Sequence, residues 1–185
     1  MKTLVKALAT AALAVTASAA QAQLYGEMAY IPLKFSLAAA GSSVEASPKA
    51  LGLTLGYEFH KNVAVEGLVA FNAGDDTPTD SGATVLGKLK VSNAYGFFVK
   101  PKTMLGAKLE VSARLGYMNT RFDISGPGPA GAIVSTSIRD NGFAYGAGAR
   151  YDLGTHTYLA VNYTSFYNKD DGKVNGFTFG VGMKY

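Results

Sequence analysis

Residues 174–185, VNGFTFGVGMKY, place Phe177, Phe179, Val181, Met183 and Tyr185 at every second position, with Gly176, Thr178, Gly180, Gly182 and Lys184 between them. A period of two is the mark of a β-strand with unlike faces. Chain ends usually fray. A terminal strand this apolar, finishing on an aromatic, must be held by a neighbour.

The same alternation recurs upstream. Leu159, Val161, Tyr163 and Tyr167 stand against Ala160, Asn162 and Thr164; Tyr145, Ala147, Ala149, Tyr151 and Leu153 stand against Gly146, Gly148, Arg150 and Asp152. Leu109, Val111, Ala113, Leu115 and Tyr117 oppose Lys108, Glu110, Ser112 and Arg114. Val85, Leu89, Val91, Tyr95, Phe97 and Val99 oppose Lys88, Lys90, Ser92 and Gly96. Val63, Val65, Val69 and Phe71 alternate with Glu66 and Asn72, and Leu51 through Phe59 alternate with Gly52, Thr54, Gly56 and Glu58. The first strand, about residues 24–37, is least regular. Glu27 falls in phase with Tyr25 and Ile31, so either it lies at an interface or a bulge near Pro32 shifts the register. The pattern predicts eight strands.

Ahead of them, Lys2 and Lys6 precede an apolar run from Ala7 through Val15 and an Ala20-Gln21-Ala22 site, the parts of a cleaved secretory signal. The run is too short for a membrane-spanning helix, which needs roughly 20 residues. Cleavage after Ala22 removes 22 of 185 residues and leaves 163, expected to form one domain, residues 23–185. It also removes two of the 17 Lys and Arg, leaving 15 against 13 acidic residues, a balance that recommends no nucleic-acid partner. The chain has no Cys, so an exported domain has no disulfides to stabilise it.

Connections alternate in length. Short links are expected at residues 60–62, 101–103 and 154–156; longer ones at about 38–47, 73–82, 123–137 and 169–173. An even set of up-and-down strands with tight turns on one side and longer loops on the other predicts an all-β, eight-stranded antiparallel transmembrane barrel. The faces choose between this and a soluble, lipocalin-like periplasmic barrel, which would fill its interior with large apolar side chains. Here the charged residues share a face with Gly and Ala, small enough to leave room for long side chains in a narrow lumen. Charges point in and apolar residues point out.

Antiparallel pairing in order puts Glu58, Glu66, Lys108, Glu110, Arg150 and Asp152 in the turn-side half of the interior, with Lys88, Lys90 and Arg114 nearer the middle or the loop side. An isolated buried charge costs on the order of several kcal/mol, so a paired network that plugs the lumen is expected. The alternatives are solvated lumen charges, or a narrow pore. On the outside, Tyr25, Tyr57, Phe59, Phe97, Tyr151 and Tyr185 fall toward the turns and Phe71, Tyr117, Phe143 and Tyr167 toward the loops, as two aromatic girdles would. Strand propensity of Tyr and Phe also favours such positions. The terminal strand is held by pairing with the first, which removes both sheet edges.

The AQA cleavage site, the strand and turn GFAYGAGARYDLG, the following HTYLAVNYTSFY and the ending FTFGVGMKY resemble the small outer-membrane β-barrel family that includes OmpX and the transmembrane domain of OmpA. The resemblance covers the whole chain after the signal. It implies residence in the bacterial outer membrane, as a monomer contacting outer-membrane lipid and lipopolysaccharide, with biogenesis through periplasmic chaperones and the barrel-assembly machinery. It also implies that Phe177, Phe179, Val181, Met183 and Tyr185 form the C-terminal assembly signal, although Phe is the commoner last residue. The peptidoglycan-anchoring role of full-length OmpA is not expected to carry over, as no domain for it follows the barrel.

Barrels of this size include lipid A deacylases and acyltransferases, which need a His with a Ser and an acid at the outer rim. His60 and His156 instead fall in short turns on the other side, without a Ser nucleophile and matching acid beside them. No His cluster has metal spacing, and GAGARYDLG lacks the glycines and context of a dinucleotide loop. No catalytic residue, metal or cofactor is expected. Asp75, Asp76, Asp80, Asp170 and Asp171 and the GPGPAGA segment lie in the longer loops, which hold whatever surface ligand the protein has. The carboxylates have no calcium-loop spacing; sharing divalent cations with lipopolysaccharide phosphates, or keeping the loops soluble, would each explain them. The Asn162-Tyr163-Thr164 sequon lies within a strand and is discounted.

Overall fold

A computed structural model describes residues 23–39, 42–77, 79–80, 83–84, 88–127, 133–169 and 172–185. Ala20 and Ala22, and with them the expected cleavage site, lie outside the described residues, as do Asp170 and Asp171. The strands are β1 (Gln23–Ala39), β2 (Ser42–Ala46), β3 (Lys49–His60), β4 (Val63–Gly74), β5 (Thr79–Asp80), β6 (Ala83–Thr84), β7 (Lys88–Leu105), β8 (Leu109–Pro127), β9 (Ile133–Asp152), β10 (Thr157–Lys169) and β11 (Gly172–Lys184). Eight long antiparallel strands pair in the order β1-β3-β4-β7-β8-β9-β10-β11, and β11 returns to β1 with Tyr25 opposite Lys184 and Leu37 opposite Gly172. The Tyr185 N–H donates to the Leu24 carbonyl at 2.8 Å, so the last residue is itself tied to the first strand. The short strands β2, β5 and β6 form a small sheet extending from the loop end of β1.

Alternation sorts the side chains as the sequence predicts over most of the barrel. Leu51, Leu53, Leu55, Val65, Val69, Leu115, Tyr145, Leu159, Val161, Phe177, Phe179, Val181 and Met183 all point outward and are exposed. An exterior of this kind suits lipid and is the reverse of a soluble barrel's. Tyr25, Glu27 and Ile31 share the inward face of β1, and the pairing of β1 runs through Pro32 without a register shift. Glu27 is therefore a lumen residue. Tyr25, expected in the turn-side girdle, is inside the barrel and 1% exposed. The Tyr167 side chain lies outside the described residues.

Two further expectations are corrected in β7. It does not turn at residues 101–103. Pro101 sits in the strand facing outward, pairing with β8 lapses beside it and resumes at Lys102 opposite Ser112, and the Lys102 N–H donates to the Asn62 carbonyl at 2.8 Å. One lost ladder bond is tolerated at this end of the strand. The turn comes at Gly106, whose φ of +81° is a conformation glycine adopts without a Cβ clash. Higher up, the register shifts between Val91 and Asn93. The extra residue reverses the faces beyond it, so Val91 is buried in the interior and Lys88 and Lys90 point outward. The expected loop over residues 123–137 is mostly strand: Asp123 pairs with Ser137 and Pro127 with Ile133.

The interior has two layers. Toward the loops it is apolar, with Ile31, Leu33, Leu68, Val91, Phe98, Met118, Phe122 and Phe166 packed across the lumen. The void left among them is about 20 Å³, room for little more than one water, and its lining offers water no partners. Toward the turns the interior is charged. Inward glycines serve aromatic rings there: a Cβ at Gly56 would overlap the Tyr25 ring, and one at Gly182 would overlap the Tyr158 ring.

Candidate functional site in the lumen

The charged layer draws a side chain from every barrel strand. β1 supplies Tyr25 and Glu27, β3 Glu58, β4 Glu66, β7 Lys100 and Lys102, β8 Glu110 and Arg114, β9 Arg150 and Asp152, β10 Tyr158 and β11 Lys184. Each sits there because alternation turns it inward at the turn end of its strand. Glu110 and Arg150 are direct cross-strand partners.

Glu110 is the hub and is 1% exposed. Its Oε2 takes Lys102 Nζ at 3.0 Å and Arg150 Nη2 at 2.5 Å, and its Oε1 lies 3.3 Å from Lys100 Nζ. Lys100 continues to Glu66 Oε1 at 3.3 Å. Arg114 Nη2 donates to that same oxygen at 3.3 Å, and its Nε lies 2.8 Å from Glu66 Oε2, off the N–H axis. Arg150 also donates to Glu58, which takes Lys102 as well. At the mouth, Lys184 Nζ donates to Asp152 Oδ2 at 2.6 Å.

Aromatic rings complete the packing. The Tyr25 hydroxyl donates to Glu66 Oε1, and its ring stands edge-on to Tyr158 with centroids 6.2 Å apart. The Arg150 guanidinium lies 4.8 Å from the Tyr158 ring centre and 5.4 Å from that of Tyr25, so a desolvated cation is covered on its faces as well as paired at its edge. Glu27 is buried beside Gly180 with one carboxyl oxygen lacking a hydrogen-bond partner.

Of the residues expected in this network, Glu58, Glu66, Glu110, Arg114, Arg150 and Asp152 are brought together. Lys108 is not: it is exposed in the turn after Gly106, where its carbonyl accepts the Asp152 N–H. Lys88 and Lys90 are also excluded, by the β7 bulge. The cations that take their place are Lys100 and Lys102. Extending the alternation of β7 past Val99 through Pro101 would have found them, since both lie in phase with Gly96. Lys184 and Tyr158 lie in phase with Gly182 and Asn162 on the small or polar faces of their strands, so the same alternation marks them as inward; Tyr25 carried no such signal, and only the packing assigns it.

This arrangement neutralises charge and fills space, and it holds no nucleophile with an adjacent base. His60 Nδ1 accepts the Asn62 N–H at 3.2 Å, and His156 Nδ1 lies 2.9 Å from Thr155 Oγ1, so both are occupied in turns. No cluster of His, Asp and Glu among the described residues is placed to hold a metal ion. The loop aspartates Asp75 and Asp76 accept hydrogen bonds from the Asn72 side chain and the Ser47 backbone. The network opens toward the turns on a charged vestibule of about 600 Å³, lined in part by His60, Lys61 and Lys184.

The outside of the loop end is organised differently. The hydroxyl of Ser137 donates to Asp123, which with help from Lys90 and Arg121 holds that carboxyl below the usual aspartate range. Below it, Tyr117 and Phe143 meet edge to face at 6.1 Å on the outer wall.

Residues 7–185 match the family described as outer membrane protein beta-barrel domain. No curated protein matches the chain in sequence. Among solved structures, the attachment invasion locus protein Ail of Yersinia pestis, in complex with the heparin analogue sucrose octasulfate, aligns with a TM-score of 0.63 at 18% identity, covering 89% of this chain and 99% of that one. The outer membrane protein OprG of Pseudomonas aeruginosa aligns with a TM-score of 0.59 at 18% identity, covering 89% and 95%. The N-terminal barrel domain of Pseudomonas aeruginosa OprF gives 0.57 at 14%, covering 89% and 100%. At these identities the likeness is one of fold.

Proposed function

Because the chain belongs to the outer membrane protein beta-barrel domain family and is an outer-membrane barrel, we propose that it acts as a closed, non-enzymatic element of that membrane, contributing to envelope integrity or to surface contact through its loops. What supports this reading is the two-layered packing of side chains in the barrel interior. A connected charge network fills the turn half and an apolar layer fills the loop half. Ions crossing the first layer would have to displace paired side chains, and crossing the second would have to shed water with nothing to replace it. Among the described residues neither histidine has a Ser nucleophile and a matching acid beside it, which supports a non-enzymatic role.

A surface ligand at the loops is part of the proposal. It is supported by Ail, a barrel of similar fold, having been solved with a heparin analogue. Removal of residues 1–22 after Ala22, recognition of Phe177, Phe179, Val181, Met183 and Tyr185 by the barrel-assembly machinery after escort by periplasmic chaperones, and a monomeric state belong to the same reading. Planar-bilayer recording of the purified, folded protein tests the closure. The expected result is no steady conductance; steady conductance at porin level overturns it.

A further inference from the structure

The outer wall of β7, β8 and β9 changes character in steps toward the loops. Tyr95, Tyr117 and Phe143 end the apolar band. Asn119 and Asn141 come next, directly paired, followed by Arg121 opposite Arg139 and Asn93. Beyond these, Lys90 and Ser137 flank Asp123, and Lys88 stands opposite Ser125. All four cations point outward: Lys88 because the β7 bulge turns it out with Lys90, Arg121 because its neighbour Phe122 faces in, and Arg139 because it is directly opposite Arg121.

Two like charges directly opposite across a ladder are unfavourable unless an anion sits between them. Asp123 is the one carboxylate on this outer face among the described residues, and it is shared at long range, 3.8 Å from Lys90 Nζ and 3.7 Å from Arg121 Nε. Arg139 is exposed and has no ion pair among the described residues. The wall therefore carries four cations against one carboxylate.

Height identifies the anion. Four residues separate Tyr117 from Arg121, about 13 Å along a strand, or about 10 Å of height at a tilt of about 40°. That is the headgroup level of the leaflet whose hydrocarbon edge the aromatic rings mark. The patch faces sideways into the leaflet, toward lipid. Guanidinium forks suit phosphate oxygens, and two arginines with two lysines suit a headgroup bearing more than one phosphate. We propose that Lys88, Lys90, Arg121 and Arg139 form a lateral site for the phosphates of lipopolysaccharide. The site rests on the membrane-barrel reading above and adds to it a lipid held on one wall.

The test uses the folded protein in nanodiscs of zwitterionic lipid, with binding of lipopolysaccharide, of enzymatically dephosphorylated lipopolysaccharide and of heparin measured separately. The triple variant K90Q/R121Q/R139Q is compared with K34Q/K49Q/K173Q, which removes the same charge from β1, β3 and β11 across the barrel. Unboiled gel mobility of each variant shows separately that the barrel itself is intact. Wild type is expected to prefer phosphorylated lipopolysaccharide, with a loss on the order of 100-fold in the first variant and little change in the second. Undiminished binding by the first variant, equal loss in both, indifference to dephosphorylation, or tighter binding of heparin would each overturn the proposal.

Discussion

Glu110→Gln tests whether the lumen network holds the barrel together. The substitution keeps the shape of a side chain that is 1% exposed and removes the charge shared by Lys100, Lys102 and Arg150. Lys100 retains Glu66, and Lys102 and Arg150 retain Glu58, so no cation is wholly orphaned. Among the described residues Glu58 and Glu66 are nevertheless left as the only close carboxylate partners of Lys100, Lys102 and Arg114, with Asp152 3.9 Å from Arg150 Nε. Removing one partner from a buried ion pair costs about 3–5 kcal/mol, and the remaining pairings place this variant toward the lower figure. Asp152→Asn, at the mouth and paired chiefly with Lys184, should cost less. The assay is urea unfolding of the protein in lipid vesicles, followed by the loss of the fast-migrating unboiled band; the chain has no Trp, so tryptophan fluorescence is not an option. A Glu110→Gln variant within about 0.5 kcal/mol of wild type, the range of surface substitutions, would refute the view that these charges are mutually compensating and poorly hydrated.

Two further outcomes are expected. Leu53→Arg, mid-strand on the exposed outer face, should destabilise the vesicle-inserted barrel by about 2–4 kcal/mol, whereas Lys88→Gln on the outer wall near the loops should leave the urea midpoint unchanged. For Asp123, the folded carboxyl titrates below its unfolded value of about 3.9, so its contribution is complete above that pH and is lost as pH falls through the folded value. Amide hydrogen exchange in residues 121–125 should therefore be faster in Asp123→Asn than in wild type at pH 7, with the difference shrinking as pH falls below the ordinary aspartate value.

The outward set could be read without a structure because alternation is local. Once Phe177, Phe179 and Val181 share a face, each strand carries its own record of which side meets lipid, and the closing of β11 on β1 follows from an apolar strand that has no other neighbour. The identity of the enclosed charges was legible for the same reason wherever the phase ran unbroken, as at Glu58, Glu66, Glu110, Arg114 and Arg150. It failed at Lys88 and Lys90 because one extra residue near Ser92 reverses a face and composition does not announce it. It failed at Lys100 and Lys102 because Pro101 reads as a turn residue, while the barrel tolerates it where a single ladder bond is forfeited.

What the sequence by itself determined is the two-faced strand, its repetition eight times, and therefore a barrel that is apolar outside. Tertiary structure alone decided which of the enclosed side chains meet. Arg150 meets Glu58 across 92 residues of chain, and Tyr25 meets Glu66 across 41. Those encounters depend on the register summed around the ring and on the volume left by Gly56 and Gly182. A register sum and a shared volume are properties of all eight strands at once, so no single strand's sequence can state them.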